Sequence, residues 1–347
     1  MPIVYLVIPC YNEEKVLPET VKRLSAKLSA MARAGLAGKG SRMLFVDDGS
    51  RDRTWELISR FSEKDARVCG IRLAHNRGHQ NALLAGLMTA RRYADCAVSL
   101  DADLQDDVEV LDEFVRKFLE GCDVVYGVRR KRATDTFFKR ATAQAYYRLL
   151  AALGVDVVYN HADYRLMSRR ALDALGEYRE VNLFLRGLVP LIGYRSACVY
   201  YDRHERFAGE SKYPLKKMLA LAVDGVTSFS TRPLELIFRL GALVSLAGLV
   251  GTIWSLVSHL RGAAAAWAPA VWSLWLLGGL LMLCLGVTGV YLGKIYAETK
   301  ARPRYRIAER AGQPAEPAEP AEPVPARRSE QSETEARSGG TVRDSSR

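Results

Sequence analysis

The sequence lacks the cysteine pairing of a disulfide scaffold or a zinc site: its six cysteines, Cys10, Cys69, Cys96, Cys122, Cys198 and Cys284, are scattered, with no C-x-x-C among them. They fit reduced, mostly buried positions of a cytosolic domain. No G-x-G-x-x-G follows the first apolar run, which removes the usual dinucleotide-binding turn and with it a simple oxidoreductase reading. The apolar start, residues 1–10, carries neither a basic n-region nor an A-x-A cleavage site, so it reads as a strand and not as a signal peptide.

What is present begins with charge and length. The 347 residues leave room for one sizeable domain and something more, and the formal net charge of +11 favours anionic partners. Basic side chains gather at Lys212, Lys216, Lys217, Arg232 and Arg239 before one long apolar run, and at Lys294, Lys300, Arg302, Arg304 and Arg306 after a second. That placement suits membrane headgroups and argues against a nucleic-acid groove. Residues 240–260 and 262–293 contain no Asp, Glu, Lys or Arg, and about 20 apolar residues suffice to cross a bilayer. Two transmembrane helices are therefore expected, with both basic flanks, and so both termini, on the cytoplasmic side. The Pro-Ala-Glu repeat from Pro314 and the polar end beyond it cannot bury a core and read as a disordered tail.

Between residues 3 and 126, short apolar runs at 3–8, 43–46, 68–73, 97–100 and 123–126 alternate with helix-compatible spacing at 13–30, 53–64, 79–92 and 108–119. Alternation of this kind predicts βαβ units, a mainly parallel sheet and an α/β class. Residues 137–193 read as helical and 197–207 as one further strand. The expected organisation is a catalytic-size domain over 1–210, an amphipathic juxtamembrane segment over 211–233, a two-helix anchor over 234–297, and a basic flank and tail over 298–347.

Polar clusters fall where strands of such a sheet end, the usual place for ligands. Asp101-Ala102-Asp103-Leu104-Gln105-Asp106 follows the fourth run and sets two carboxylates and a side-chain amide, all hard oxygen ligands, within reach of one divalent cation. Val7-Ile8-Pro9-Cys10-Tyr11-Asn12-Glu13-Glu14 follows the first: Tyr11 can stack on a base and Glu13 can accept from a ribose or base edge, while a plain helix N-terminus is the rival explanation. Val46-Asp47-Asp48-Gly49-Ser50 follows the second and is open to a nucleoside role or to a simple Asp-Gly turn.

Taken together, Pro9-Cys10-Tyr11-Asn12-Glu13, Asp47-Asp48-Gly49-Ser50, Asn76-Arg77-Gly78-His79-Gln80-Asn81-Ala82-Leu83 and Asp101-Ala102-Asp103-Leu104-Gln105 resemble the inverting family 2 glycosyltransferases of the GT-A fold. Within that family the chain looks like the polyprenyl-phosphate branch, which includes dolichyl-phosphate mannose synthases and bactoprenol glucosyltransferases, over residues 3–297. The resemblance implies a nucleotide-sugar donor bound by Pro9, Tyr11, Asn12, Glu13, Asp47, Asp48, Arg77 and Asp101, and Mg²⁺ or Mn²⁺ bound by Asp101, Asp103 and Gln105. It implies a sugar-side acidic residue at Asp163, in Asn160-His161-Ala162-Asp163-Tyr164-Arg165-Leu166-Met167, as base, sugar ligand or partner of Arg165. Phosphate-holding Arg206 and Lys212 in Arg206-Phe207-Ala208-Gly209-Glu210-Ser211-Lys212 follow from it, as do acceptor-phosphate contacts from Arg129 and Arg140. At position 107 this chain has Asp where the family commonly has proline.

The expectation is transfer of a sugar, UDP-linked by the bactoprenol-type pattern, onto undecaprenyl phosphate by a multi-pass inner-membrane enzyme whose two-helix anchor suits self-association. The alternatives are a GDP-mannose transferase of the dolichyl type, a processive polysaccharide synthase, which would carry a Q-x-x-R-W element not found here, and a non-catalytic membrane scaffold that binds nucleotide-sugar.

Overall fold

The computed structural model describes residues 1–130, 161–181, 183–202 and 267–312, together with positions 234, 237, 239 and 243. Eight strands form one sheet: β1 Val4–Cys10, β2 Arg42–Asp47, β3 Val68–Leu73, β4 Cys96–Ser99, β5 Val124–Arg129, β6 His161–Ser168, β7 Ser196–Tyr201 and β8 Ile307–Ala311, in the order β7-β5-β6-β4-β1-β2-β3-β8. β1 pairs in parallel with β2 and β4, β2 with β3, and β5 with β7; β6 pairs antiparallel with β4 and β5, and β8 antiparallel with β3. The mainly parallel sheet is thus interrupted by two reversed strands, which makes it mixed.

The helices are α1 Leu17–Arg33, α2 Thr54–Lys64, α3 His79–Ala90, α4 Leu111–Leu119, α5 Arg169–Glu177, α6 Leu185–Leu191 and α7 Trp267–Lys300. Leu17, Val21, Leu24, Leu28 and Met31 recur at helical spacing along α1 and bury against alternate residues of β1 and β2, including Leu6, Ile8, Met43 and Phe45. The remaining alternates, Tyr5, Val7, Leu44 and Val46, pack on the opposite face with Ala82, Leu83 and Leu87 of α3 and Leu172 and Leu175 of α5. Burial on both faces explains why these strands read as unbroken apolar runs. The crossover topology sends β1 between β4 and β2, so the loops after β1 and β4 part company at a switch point, leaving a crevice at the carboxyl ends.

Two elements depart from the sequence reading. Residues 161–168, expected to be helical, form β6, because Leu166 and Met167 bury on opposite faces of the sheet between β4 and β5. The chain then turns helical at α5, where the Ser168 side chain accepts from the Ala171 amide as a cap. Strand β8 lies in the stretch read as basic flank. Position 107 also finds its explanation: Asp107 accepts from the Glu109 amide at 2.9 Å and caps the short 3₁₀ turn Val108–Val110, doing by hydrogen bond what a proline does by ring geometry.

α7 is 34 residues long. Leu274, Leu281, Leu285, Leu292, Ile295 and Tyr296 stand exposed along it. The side chains described on it do not amount to a stretch long and apolar enough to cross a membrane, and nor do those of any other helix among the described residues. The expected first span, residues 240–260, and the juxtamembrane segment lie almost wholly outside the described residues.

Candidate active site

Four loops meet at the carboxyl ends of β1, β2, β3 and β4. The first two are stitched together: the Asn12 amide donates to Ser50 Oγ and the Arg51 amide to Asn12 Oδ1, both at 2.9 Å, with Asn12 at φ 56°. Asparagine tolerates that left-handed conformation better than most residues. The Glu13 amide donates to Thr54 Oγ1 at 2.9 Å. Asn12 thereby joins two loops, while the half-exposed ring of Tyr11 lines the crevice.

The paired aspartates after β2 divide their work. Asp48 accepts from the Arg77 amide at 2.7 Å with one oxygen and from the Gly78 amide at 2.9 Å with the other. It therefore anchors the loop that leads into α3, and each oxygen keeps further acceptor capacity beside the nucleotide contact expected from the sequence. Asp47, fully buried, accepts from the Ser50 amide at 3.1 Å and lies 3.3 Å from Arg72 Nε. Burial pushes both carboxyls up from the ordinary range, against the hydrogen bonds that pull them down. Gly49 sits at φ 67°, and a Cβ there would stand 2.8 Å from the Asn76 amide nitrogen, so only glycine lets these loops approach. A cavity of about 470 Å³ opens beside them, lined by Tyr11, Gly49, Arg51, Arg72, Asn76 and Glu309 among others.

The loop after β4 carries Asp101, Asp103 and Gln105. Its backbone is held by Thr20, whose hydroxyl donates to the Ala102 carbonyl at 2.9 Å, and by Tyr164, whose hydroxyl donates to the Asp107 carbonyl at 3.0 Å. Leu104 is forced to φ 56°, a strained conformation for a bulky residue and one that structures keep mainly at functional loops. The Gln105 amide donates to Asp103 Oδ1 at 3.2 Å. Burial within the site raises the Asp101 carboxyl to about 6, opposed by His79 and reinforced by Asp106, Asp163 and Asp103. Among the described residues no group of three or more His, Cys, Asp or Glu is placed to hold a metal ion by itself. The donor set proposed from sequence, two carboxylates and an amide, nonetheless fits a hard divalent cation, and the crowding around Asp101 is of the kind a cation relieves.

On the far side of that loop, Tyr201 donates to Asp106 Oδ1 at 2.6 Å, and Arg129 lies 3.5 Å from the same oxygen and 3.3 Å from the Tyr201 hydroxyl. Arg129, from the end of β5, is thus fixed beside the aspartate loop. Asp163 is held by two guanidiniums. Arg165 Nη2 donates to Oδ1 at 2.8 Å, Arg186 Nε to Oδ1 at 3.1 Å and Arg186 Nη2 to Oδ2 at 3.0 Å. Burial works to raise this carboxyl, but Arg186 and Arg165 outweigh it and hold it well below the usual range. A carboxylate so held is a weak proton acceptor. His79, the first residue of α3, bridges the two halves, with Nε2 3.8 Å from Asp101 and 3.7 Å from Asp163.

The structure brings together Pro9, Tyr11, Asn12, Glu13, Asp47, Asp48 and Arg77 on one side and Asp101, Asp103, Gln105, Arg129 and Asp163 on the other. Arg140, Arg206 and Lys212 lie outside the described residues. His79, Asp106, Arg186 and Tyr201 were not expected. His79 sits inside the 76–83 motif and was within reach of a reading by position; Arg186 and Tyr201 come from separate elements and leave no local mark.

A profile described as Glycosyl transferase family 2 matches residues 5–176. Over 307 residues, 88% of this chain and 91% of the relative, the sequence is 50% identical to "Uncharacterized glycosyltransferase YkoT" of Bacillus subtilis (strain 168). It is 40% identical over 312 residues to "Uncharacterized glycosyltransferase YkcC" of the same organism, covering 88% of this chain and 94% of that one. It is 33% identical over 308 residues to "Prophage bactoprenol glucosyl transferase homolog" of Escherichia coli (strain K12), covering 87% of this chain and 97% of the relative.

Proposed function

The chain belongs to glycosyl transferase family 2 and is a glycosyltransferase, and we propose that it moves a sugar from a UDP-linked donor to the phosphate of a polyprenyl lipid, undecaprenyl phosphate in a bacterial membrane. The observation that carries this reading is the juxtaposition at the carboxyl end of the sheet of a nucleoside-sized cavity, a crowded aspartate loop and a fixed arginine, Arg129. The likeness to a bactoprenol glucosyl transferase homolog supports the lipid acceptor, since a match over 87% of this chain takes in the apolar segment as well as the sheet.

In the proposed complex the base lies in the cavity against Tyr11, and the diphosphate lies toward Asp101. Asp101, Asp103 and Gln105 would hold Mg²⁺ or Mn²⁺, which when bound neutralises the diphosphate leaving group. The acceptor phosphate attacks the anomeric carbon from the face opposite the nucleotide; a new C1–O–P linkage forms, the C1–O bond to UDP breaks, and UDP leaves. A phosphate monoester is already anionic near neutral pH, so no side chain has to take a proton. This agrees with an Asp163 carboxylate tied to two arginines, which orients Arg186 and Arg165 instead. Arg129 meets the acceptor phosphate, with Arg140, Arg206 and Lys212 as further proposed phosphate contacts.

Trp267 to Gly293 of α7 includes no Asp, Glu, Lys or Arg, and Leu274, Leu281, Leu285 and Leu292 stand exposed, which supports an anchor that keeps the site at headgroup depth with the catalytic domain and both termini cytoplasmic. The test is synthesis from purified components. Detergent-solubilised chain, Mn²⁺ or Mg²⁺, a panel of UDP- and GDP-sugars and undecaprenyl phosphate should give a glycolipid detectable by mass spectrometry. Asp101→Asn with Asp103→Asn should lower the rate by roughly a hundredfold or more. No product from any donor, or an undiminished rate in chelator, would overturn the reading.

A further inference from the structure

The sheet is completed at its donor-side edge by β8, a strand that the chain supplies only after α7. Its register sets Glu309 directly across from Arg72. Arg72 Nη1 donates to Glu309 Oε1 at 2.9 Å, and Trp55 Nε1 donates to Oε2 at 2.9 Å. On its other side the same guanidinium approaches the buried Asp47, with Nε 3.3 Å from Oδ2. Arg72 is thus clamped between two carboxylates, one from β2 and one from β8. No partner engages its Nη2 among the described residues, and Arg72, Glu309 and Ala308 all line the cavity that also contains Tyr11.

β8 is secured to the domain independently of that pair. The Ala74 amide donates to the Arg306 carbonyl at 2.9 Å, and Gly312, at φ 73°, approaches β3 so closely that a Cβ would stand 2.7 Å from the Val68 carbonyl oxygen. The end of α7 is tied in as well: the Val181 amide donates to both oxygens of Glu298, at 3.0 and 2.8 Å, and Arg304 donates to the Glu180 carbonyl at 3.3 Å.

We propose that Glu309 is a positioning residue of the donor pocket: it fixes Arg72 so that the free Nη2 hydrogens meet a carbonyl oxygen of the nucleobase, and donor affinity therefore depends on the strand that follows α7. The inference rests on the donor reading above and adds to it the class of base. The carbonyl oxygen is the one at position 4 of uracil or 6 of guanine: cytosine and adenine carry an amino donor there, so a guanidinium presented to that position suits the oxo bases, although cytosine keeps its 2-oxo group. Asp47 alone cannot set the angle, because a single contact at Nε leaves the guanidinium free to rotate; the second contact at Nη1 fixes its plane. The half-exposed Arg72–Glu309 pair adds little to folding stability, so its removal should act on binding and leave the fold intact.

The experiment measures binding of UDP, GDP, CDP and inorganic diphosphate to the full-length chain in detergent, with steady-state kinetics alongside. Glu309→Ala should weaken UDP by roughly tenfold, the effect of losing one charge-assisted contact, and raise the donor KM while kcat and the acceptor KM hold. Inorganic diphosphate, which has no base, should bind equally to both proteins, and the melting temperature should not move. Trp55→Phe, which removes only the other hydrogen bond to Glu309, should give a smaller change in the same direction. Wild type should prefer UDP or GDP to CDP, and Glu309→Ala should narrow that preference. Equal UDP affinity in wild type and Glu309→Ala, or a loss shared equally by diphosphate, would overturn the clamp while leaving the donor reading in place. Wild type that binds none of the nucleotides would overturn both.

Discussion

Replacing Asp163 with asparagine removes the charge that compensates Arg165, a guanidinium only 1% exposed at the side chain. Among the described residues Arg165 otherwise donates only to the Leu185 carbonyl, at 3.3 Å, and its Nε has no hydrogen-bond partner there. The asparagine keeps the shape and one acceptor oxygen but leaves a buried cation uncompensated, and breaking a buried pair from one side costs about 3–5 kcal/mol. The retained acceptor and the nearby, more exposed Arg186 place the expected loss at the lower end. About 3 kcal/mol corresponds to a fall in melting temperature of roughly 6–12 °C for a domain of this size. Thermal unfolding in detergent, followed by circular dichroism, reads this directly. Arg165→Met alone should cost less, because Asp163 keeps its bidentate contact with Arg186. The double variant Asp163→Asn with Arg165→Met should lose clearly less than the sum of the two, since the buried charge is then gone. An Asp163→Asn protein that melts with the wild type, or strict additivity in the double variant, would refute the view that this carboxylate exists to hold arginines.

Further expectations concern the loops. Gly49→Ala puts a side chain at φ 67° and 2.8 Å from a backbone nitrogen; it should destabilise by about 1–3 kcal/mol and raise the donor KM, measured by thermal unfolding and initial rates. The Asp101 carboxyl, raised to about 6 by burial, is easier to protonate in the folded chain than in the unfolded one, where about 3.9 is usual. Its contribution to stability is therefore full below the unfolded value and lost as pH rises through about 6, so Asp101→Asn should flatten the pH dependence of melting between pH 5 and 7.5 in metal-free buffer. Asp163 runs the other way: held low, it contributes above the unfolded carboxyl value and loses that contribution as pH falls toward its folded one. Mn²⁺ should raise the melting temperature more at pH 7.5 than at pH 5.5, because the carboxylates must be ionised to bind it; an equal shift at both would count against the aspartate loop as the cation site.

The central strands were readable because they are buried on both sides and flanked by amphipathic helices: residues 68–73 form β3 as expected, and β1, β2, β4 and β5 shift by only a few residues. Strand β6 was not, since it buries Arg165 and carries Asp163, polar residues that mask any strand pattern and make sense only once Arg186 and the Leu185 carbonyl arrive from α6. β8 was hidden for a different reason: Ile307–Ala311 is a short edge strand with charges at its centre, which is how edges are commonly protected, and nothing local marks its partner. The motifs mark loops that converge at the carboxyl ends of the strands, but not the hydrogen bonds each residue makes. Asp48 reads as a ligand in sequence; that its two oxygens also accept from amides 29 and 30 positions away is a fact no local pattern contains.

The late position of β8 has a consequence for synthesis. During translation β3 emerges more than two hundred residues before the strand that covers it, so its hydrogen-bonding groups stand open while α7 is being made and leaves the ribosome. An uncovered edge of this kind is where nascent chains pair wrongly with one another. Shortening the chain by only its last few dozen residues would therefore remove more than a tail: cut before Ile307, the ribosome would release a product whose sheet has no stop on that side.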